Sequence, residues 1–251
     1  IVLTPDGEDR WAADLTGCED TLDTLDPFTL SPEMIAQRVA AAGIVGLGGA
    51  GFPAAVKLNL GQRHALHTLV INGAECEPYL TCDDRLMREQ AVAVVDGARI
   101  MAHALGVGQI IIGIEDNKPF AREAMTLALG KLDQAVTAKI RIARLPTRYP
   151  MGSERHLVQA LTGLEPPARG LTAQIGVVVH NPATAFAVHE ALRLGRPLIS
   201  RVMTVSGQAV AQPTNLRVPL GTPIRHLLAH CGGLTETPAR LISGGHHDHH
   251  M

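Results

Sequence analysis

The stretch Gly43-Ile44-Val45-Gly46-Leu47-Gly48-Gly49-Ala50-Gly51-Phe52-Pro53 decides how this chain is read, because five glycines in nine residues strip side chains from a length of backbone. Glycine loses more conformational freedom on folding than any other residue. Such a cluster is retained where the backbone needs positive φ or must approach a ligand closely. The following residues, Pro53 to Leu60, predict a helix entered through proline in its first turn and carrying Lys57. A glycine loop running into a helix N-terminus aims backbone N–H groups and the positive end of the helix dipole at an anion such as a phosphate. The spacing is neither G-x-G-x-x-G nor a Walker A loop, which places Lys and then Ser or Thr directly after its last glycine. A glycine-rich surface turn is the competing reading of the segment taken alone.

Just beyond it, the apolar run Leu66 to Ile71 reads as a buried strand, and Asn72-Gly73-Ala74-Glu75-Cys76-Glu77-Pro78-Tyr79 follows at its C-terminal end. Ligands bind at that edge of open α/β sheets, although a solvated acidic turn has the same composition. Upstream, Ser31 as an N-cap before Pro32 and Glu33 starts a helix that ends near Ala42. Downstream, strands are predicted at Gln109 to Ile114, Lys139 to Arg144 and Ile175 to His180. Helices are predicted at Arg85 to Leu105, Lys118 to Leu132 with Asn117 as its cap, Ser153 to Leu161 and Ala183 to Leu194. This alternation predicts an α/β fold, a Rossmann-like doubly wound and mostly parallel sheet with helices on both faces. After Leu194 the pattern turns β-rich: strands at Ser200 to Gly207 and Thr214 to Pro219, a short helix at Pro223 to His230, and a closing strand at Arg240 to Ser243. The domain boundary is placed between residues 196 and 197, with the second domain ending at 245 and a His-rich tail over 246–251.

The 251 residues suffice for one large or two medium domains, and 46% apolar and 18% charged content fits a globular chain. A formal net charge of -2 with no basic patch argues against nucleic acid as a partner. No apolar run is long enough to span a bilayer. The four cysteines, Cys18, Cys76, Cys82 and Cys231, show no C-x-x-C spacing, so no zinc or iron–sulfur site can be written from them. Aromatics are only 3%, which leaves the core to Leu, Val, Ile and Ala, and no Ser-His-Asp or Cys-His arrangement stands out.

Five blocks in order carry a resemblance: Gly46 to Pro53 with Lys57; Ile71 to Tyr79; Asp83-Asp84-Arg85; Gly113-Ile114-Glu115-Asp116-Asn117-Lys118-Pro119; and Tyr149-Pro150-Met151-Gly152-Ser153-Glu154. The chain resembles the flavin- and NADH-binding C subunit of the Rnf electron transport complex, a family related to the flavoprotein of respiratory complex I. The match runs from Pro5-Asp6-Gly7-Glu8-Asp9-Arg10-Trp11 to Gly245, and the region after Gly195 is similar to the soluble-ligand-binding β-grasp domain of that family. The resemblance implies an FMN-dependent NADH:acceptor oxidoreductase module, at the cytoplasmic face of a bacterial inner membrane among other subunits, exchanging electrons with a ferredoxin-type carrier. It implies FMN beside Gly46, Gly48, Gly49, Ala50, Gly51 and Lys57, contacted by Asn72, Glu75, Cys76, Tyr149, Gly152 and Ser153. The FMN phosphate is then expected near Asn181 and Thr184, although Asn181 also reads as an ordinary helix cap. NADH would meet Phe52, Glu77, Tyr79 and Glu154, with Glu77 on ribose hydroxyls and repelling a 2′-phosphate. Relatives in complex I run Asn-Ala-Asp-Glu-Ser-Glu-Pro where this chain has Ala74 for Asp and Cys76 for Ser. Family members continue into a cysteine-rich segment that holds iron–sulfur clusters, expected outside these residues. Two alternatives remain: the flavoprotein of a cobalamin-reducing enzyme, which shares these motifs, and a non-catalytic module of a quinone reductase-like complex that keeps the fold, against which the intact glycine loop, Lys57 and Glu77 argue.

Overall fold

The computed structural model describes residues 26–244; the Pro5 to Trp11 block, Cys18 and the tail from 246 lie outside them. Helix α1 spans Pro32–Ala41, with the Ser31 hydroxyl accepting from the Met34 N–H at 3.3 Å as predicted for its cap. Its apolar residues Ile35, Ala36 and Val39 are buried. The glycine loop then closes on itself through a bridge between Val45 and Pro53 and opens into α2, Ala54–Leu58. Strands β1 (Thr68–Gly73), β2 (Gln109–Glu115), β3 (Ile140–Leu145) and β4 (Val177–His180) form one sheet in the order β3-β2-β1-β4. All pairings are parallel, and β1 registers Thr68 against both Gln109 and Val177. Between β1 and β2 lie α3 (Cys82–Glu89) and α4 (Ala91–Leu105); then come α5 (Pro119–Leu129), α6 (Gln134–Thr137), α7 (Glu154–Thr162) and α8 (Pro182–Leu194).

The period-two alternation of the strands divides the core between the two faces of the sheet. Leu69, Ile71, Ile110, Ile112 and Ile114 pack with α1, α4 and α8, whereas Val70, Ile111, Leu145 and Val179 pack with Leu157 and Val158 of α7. A core poor in rings is filled by close helix approach. A Cβ at Gly97 of α4 would lie 1.8 Å from the Ala185 carbonyl oxygen of α8, so only glycine fits there. The chain winds outward from β1 to β2 and β3 and then returns to place β4 on the other side. The switch point therefore lies between β1 and β4, where crevices form at the C-terminal edge of such sheets.

Beyond α8, β5 (Ser200–Val205) and β6 (Thr214–Pro219) form an antiparallel hairpin, followed by α9, Ile224–His230. Val205, Val210, Val218, Leu227 and Cys231 make a separate small core. Three expectations are corrected. The helix predicted over 85–105 is two helices, broken at Gln90 with φ -123° and ψ 29°, a turn that no proline or glycine announces. The cap of α5 is Lys118, not Asn117. No strand forms at Arg240 to Ser243; Leu234 bridges Val210 instead, Pro238 follows without an N–H to donate, and Leu241 and Ile242 are exposed. Among the described residues no helix is long and apolar enough to cross a membrane.

Candidate functional site

The glycine loop with Asn181 and Thr184, Lys57 with Glu154, and Asn72 with Gly152 and Cys76 make contacts at the C-terminal edge of the sheet. The loop from Gly46 to Phe52 is tied by the Gly46 N–H donating to the Phe52 carbonyl at 2.7 Å, with Gly49 at φ 113° and Gly51 at φ 60°. Those dihedrals require glycine, and residues 48–52 are exposed, so bare backbone faces outward at the sheet edge. The loop is braced against the start of α8. The Leu47 N–H donates to the buried Thr184 hydroxyl at 3.0 Å, and a Cβ at Gly48 would lie 3.3 Å from the Asn181 Cβ. Asn181 is the α8 cap, its Oδ1 accepting from Ala183 N–H at 2.8 Å while its Nδ2 donates to Asp83 Oδ2 at 2.6 Å. Asn181 is thus the ordinary helix cap of its first reading, and it packs against the loop as well.

Lys57 leaves α2 and crosses to β4. Its Nζ donates to the Val179 carbonyl at 3.0 Å and lies 3.5 Å from Glu154 Oε2, while Glu154 Oε1 accepts from the Thr172 hydroxyl at 2.8 Å. At the end of β1, Asn72 donates from Nδ2 to the Gly152 carbonyl at 2.8 Å and accepts from Ala74 N–H at 3.1 Å. The Gly152 N–H reaches Cys76 Sγ at 3.2 Å, and burial pushes the Cys76 thiol above its ordinary value, so it stays protonated near neutrality. Ser153 is the residue preceding α7, and Tyr149 stands in the turn before it, half-exposed. Phe52 and Tyr79 present exposed rings, Tyr79 at 75% with a left-handed φ of 67°.

Glu75 is placed differently from its neighbours. Its carboxylate accepts from the N–H groups of Asp83 (2.9 Å) and Asp84 (3.2 Å) and lies 3.6 Å from Lys118 Nζ, which makes it the cap of α3 in place of the Thr81 side chain. Asp83, quoted above only as part of a block, is a site component in its own right. Burial and then the nearby Glu75 carboxylate raise its pKa to about 7, against the Asn181 hydrogen bond and the Arg201 and Lys118 charges. Two further groups lie outside the predicted site residues. Glu115 ends β2 with both carboxylate oxygens buried and without a hydrogen-bond partner among the described residues, and burial raises its pKa. His180 ends β4 with its Nε2 likewise unpartnered; burial, then the Lys57 charge, lowers its pKa to about 3, so its ring is neutral. Their common signal is position: each is a polar residue closing an apolar strand. The cavity of about 380 Å³ among Arg88, Ala128, Lys131 and His189 lies on the outer helices, away from this edge. Among the described residues no cluster of His, Cys, Asp and Glu could hold a metal ion.

A doubly wound sheet with a glycine loop and a crossing lysine at its switch point defines a class: residues 39–190 match the Nuo51 FMN-binding domain, and residues 202–246 match the SLBB domain. The chain is 58% identical over 245 residues to the C subunit of an ion-translocating oxidoreductase complex of Rhodobacter capsulatus, covering 98% of this chain and 45% of that protein. It is 46% identical to the protein of that name from Pseudomonas aeruginosa, covering 98% of this chain and 30% of the relative. The chain belongs to this family of C subunits of ion-translocating oxidoreductase complexes, and it spans less than half the length of these curated relatives. Among solved structures, NAD+-reducing [NiFe]-hydrogenase in its H2-reduced state superposes with a TM-score of 0.69 at 25% identity, covering 89% of this chain and 43% of that one. The air-oxidised form gives 0.74 at 24% identity, over 87% and 42%, a likeness of fold.

Proposed function

We propose that this chain is the NADH-oxidising FMN module of a membrane-associated electron transport complex, passing hydride from NADH to FMN and electrons onward, or the reverse. The observation that carries the reading is the exposed glycine-rich backbone of residues 48–51 at the switch point, with Lys57 bonded to Val179 and Asn72 bonded to Gly152 at the C-terminal ends of β4 and β1. These residues fit a planar cofactor. The loop presents no bulky side chain and Asn72 offers an amide; a phosphate near Asn181 and Thr184 would meet the α8 dipole, while the Ala183, Thr184 and Ala185 N–H groups already donate to Asn181. FMN supplies the hydride acceptor and the single-electron donor; the chain supplies binding, orientation and charge.

In this reading Gly46, Gly48, Gly49, Ala50 and Gly51 support the ring, and Lys57 places a cation that favours electron acceptance. Asn72, Cys76, Tyr149, Gly152 and Ser153 form the opposite wall, with Glu75 holding it from behind. Phe52, Glu77, Tyr79 and Glu154 receive NADH, and the negative charge of Glu77 disfavours the 2′-phosphate of NADPH. Iron–sulfur clusters, a ferredoxin-type carrier and neighbouring subunits at the cytoplasmic face of the membrane complete the electron path. We place the boundary between the FMN domain and the SLBB domain at residues 196 and 197. The test is FMN binding followed by quenching of flavin fluorescence. Gly49→Val, which forces a branched side chain to φ 113°, should weaken FMN at least about tenfold, whereas Gly108→Ala, facing open space, should not. Equal affinities in a folded Gly49→Val variant would remove the loop from the site.

A further inference from the structure

Tyr79 is a bulky residue at positive φ, a conformation that L side chains rarely adopt and that persists only where its surroundings impose it. The small domain holds the backbone on its C-terminal side. Ser206 Oγ, just past β5, donates to the Tyr79 carbonyl at 3.2 Å. The Thr81 N–H donates to Thr204 Oγ1 at 3.0 Å, and Thr204 in turn donates to Asn215 Oδ1 at 2.8 Å. Asn215 Nδ2 returns to the Thr81 hydroxyl at 2.9 Å and its carbonyl at 3.3 Å. The Thr81 hydroxyl is thereby taken from the N-terminus of α3, which explains why Glu75 caps that helix instead.

The segment from Glu75 to Thr81 is thus held at two ends by two different domains. Cys76 is fastened to the FMN domain through Gly152, and Tyr79 and Thr81 are fastened to the β5–β6 hairpin. We infer that the hairpin of the SLBB domain is a positioning element for the nucleotide half of the site, with Thr204, Ser206 and Asn215 setting the geometry of Glu77 and Tyr79. The inference rests on the proposed NADH site for its functional consequence. The same hairpin reaches the glycine loop, Arg201 Nη2 donating to the Leu47 carbonyl at 3.3 Å; Thr204 and Ser206 make no part of that bond.

The experiment uses the whole chain with Thr204→Val, Ser206→Ala and the conservative Thr204→Ser. Amide hydrogen exchange over residues 76–82 should accelerate about fivefold in the first two, the scale of one net hydrogen bond, and return towards wild type in Thr204→Ser. With FMN bound, KM for NADH should rise by a similar factor while kcat and FMN affinity stay within about twofold. Unchanged exchange in both Thr204→Val and Ser206→Ala would overturn the clasp. Faster exchange with an unmoved KM would overturn its positioning role. Wild-type chain that binds FMN but ignores NADH would refute the proposed function instead, and the exchange data would then decide the clasp by themselves.

Discussion

Replacing Gly152 by alanine tests whether the turn before α7 is fitted against the end of β1. The backbone φ of Gly152 lies outside the left-handed region, so alanine introduces no dihedral strain and only its Cβ matters. That Cβ would lie 2.5 Å from the Ala74 carbonyl oxygen and 2.9 Å from Cys76 Sγ. The first neighbour is backbone and cannot rotate away, so the 149–153 turn and the 74–76 segment must separate by several tenths of an ångström. Forcing a methyl into packed surroundings costs about 1–3 kcal/mol. Stretching the 2.8 Å Asn72–Gly152 hydrogen bond forfeits about 1 kcal/mol more. The expected loss of stability is therefore about 2–4 kcal/mol, read from the midpoint of denaturant unfolding. FMN affinity should fall with it, because Asn72 and Cys76 move. Adding Cys76→Ala removes one of the two close contacts and should recover part of the loss. Gly108→Ala, with nothing within 4 Å of its Cβ, is the matched control. Coincident midpoints for Gly152→Ala and Gly108→Ala would refute this packing account.

Asp83 makes stability depend on pH. Its folded pKa of about 7 exceeds the 3.8 of a free carboxyl, so the folded chain keeps a proton that the unfolded chain releases. Stability from this source is full below about pH 4 and lost as pH rises through about 7. Asp83→Asn should flatten the fall in unfolding midpoint between those limits, and a wild-type slope in the variant would reject the assignment. Glu75→Gln should destabilise α3 by about 1–3 kcal/mol through weaker acceptance from two backbone N–H groups, and it should lower the Asp83 transition by removing a neighbouring negative charge. Glu77→Gln should raise KM for NADH and narrow the preference over NADPH, an effect of about 1–3 kcal/mol in kcat/KM; identical nucleotide ratios would remove Glu77 from that role.

The parts legible in the sequence were those written in local pattern. Glycine spacing located the loop, and short apolar runs located the four strands of the parallel sheet. The Ser31 cap was readable because N-cap chemistry spans only three residues. What stayed hidden depends on contacts between distant segments. Glu75 sits in the same motif as Cys76 and Glu77, yet its carboxylate turns back to α3, and nothing local distinguishes it. Asp83 resembles any acid in a first helical turn until Asn181, Glu75 and Arg201 surround it. The break at Gln90 lacks the proline or glycine that marks most interruptions, since it is the docking of α3 and α4 in different places that ends the first helix. The closing strand at 240–243 had the composition of a strand but no open partner edge, because Leu234 had already met Val210.

The glycine loop and Lys57 are proposed to form a flavin site that NADH can reduce. Purified chain titrated with FMN and then, without oxygen, with NADH measures it directly. Saturable, stoichiometric FMN binding is expected, followed by loss of the flavin's visible absorbance on adding NADH and a slower response to NADPH. Absence of saturable binding by the folded chain, or bound FMN that keeps its colour in excess NADH, would contradict it.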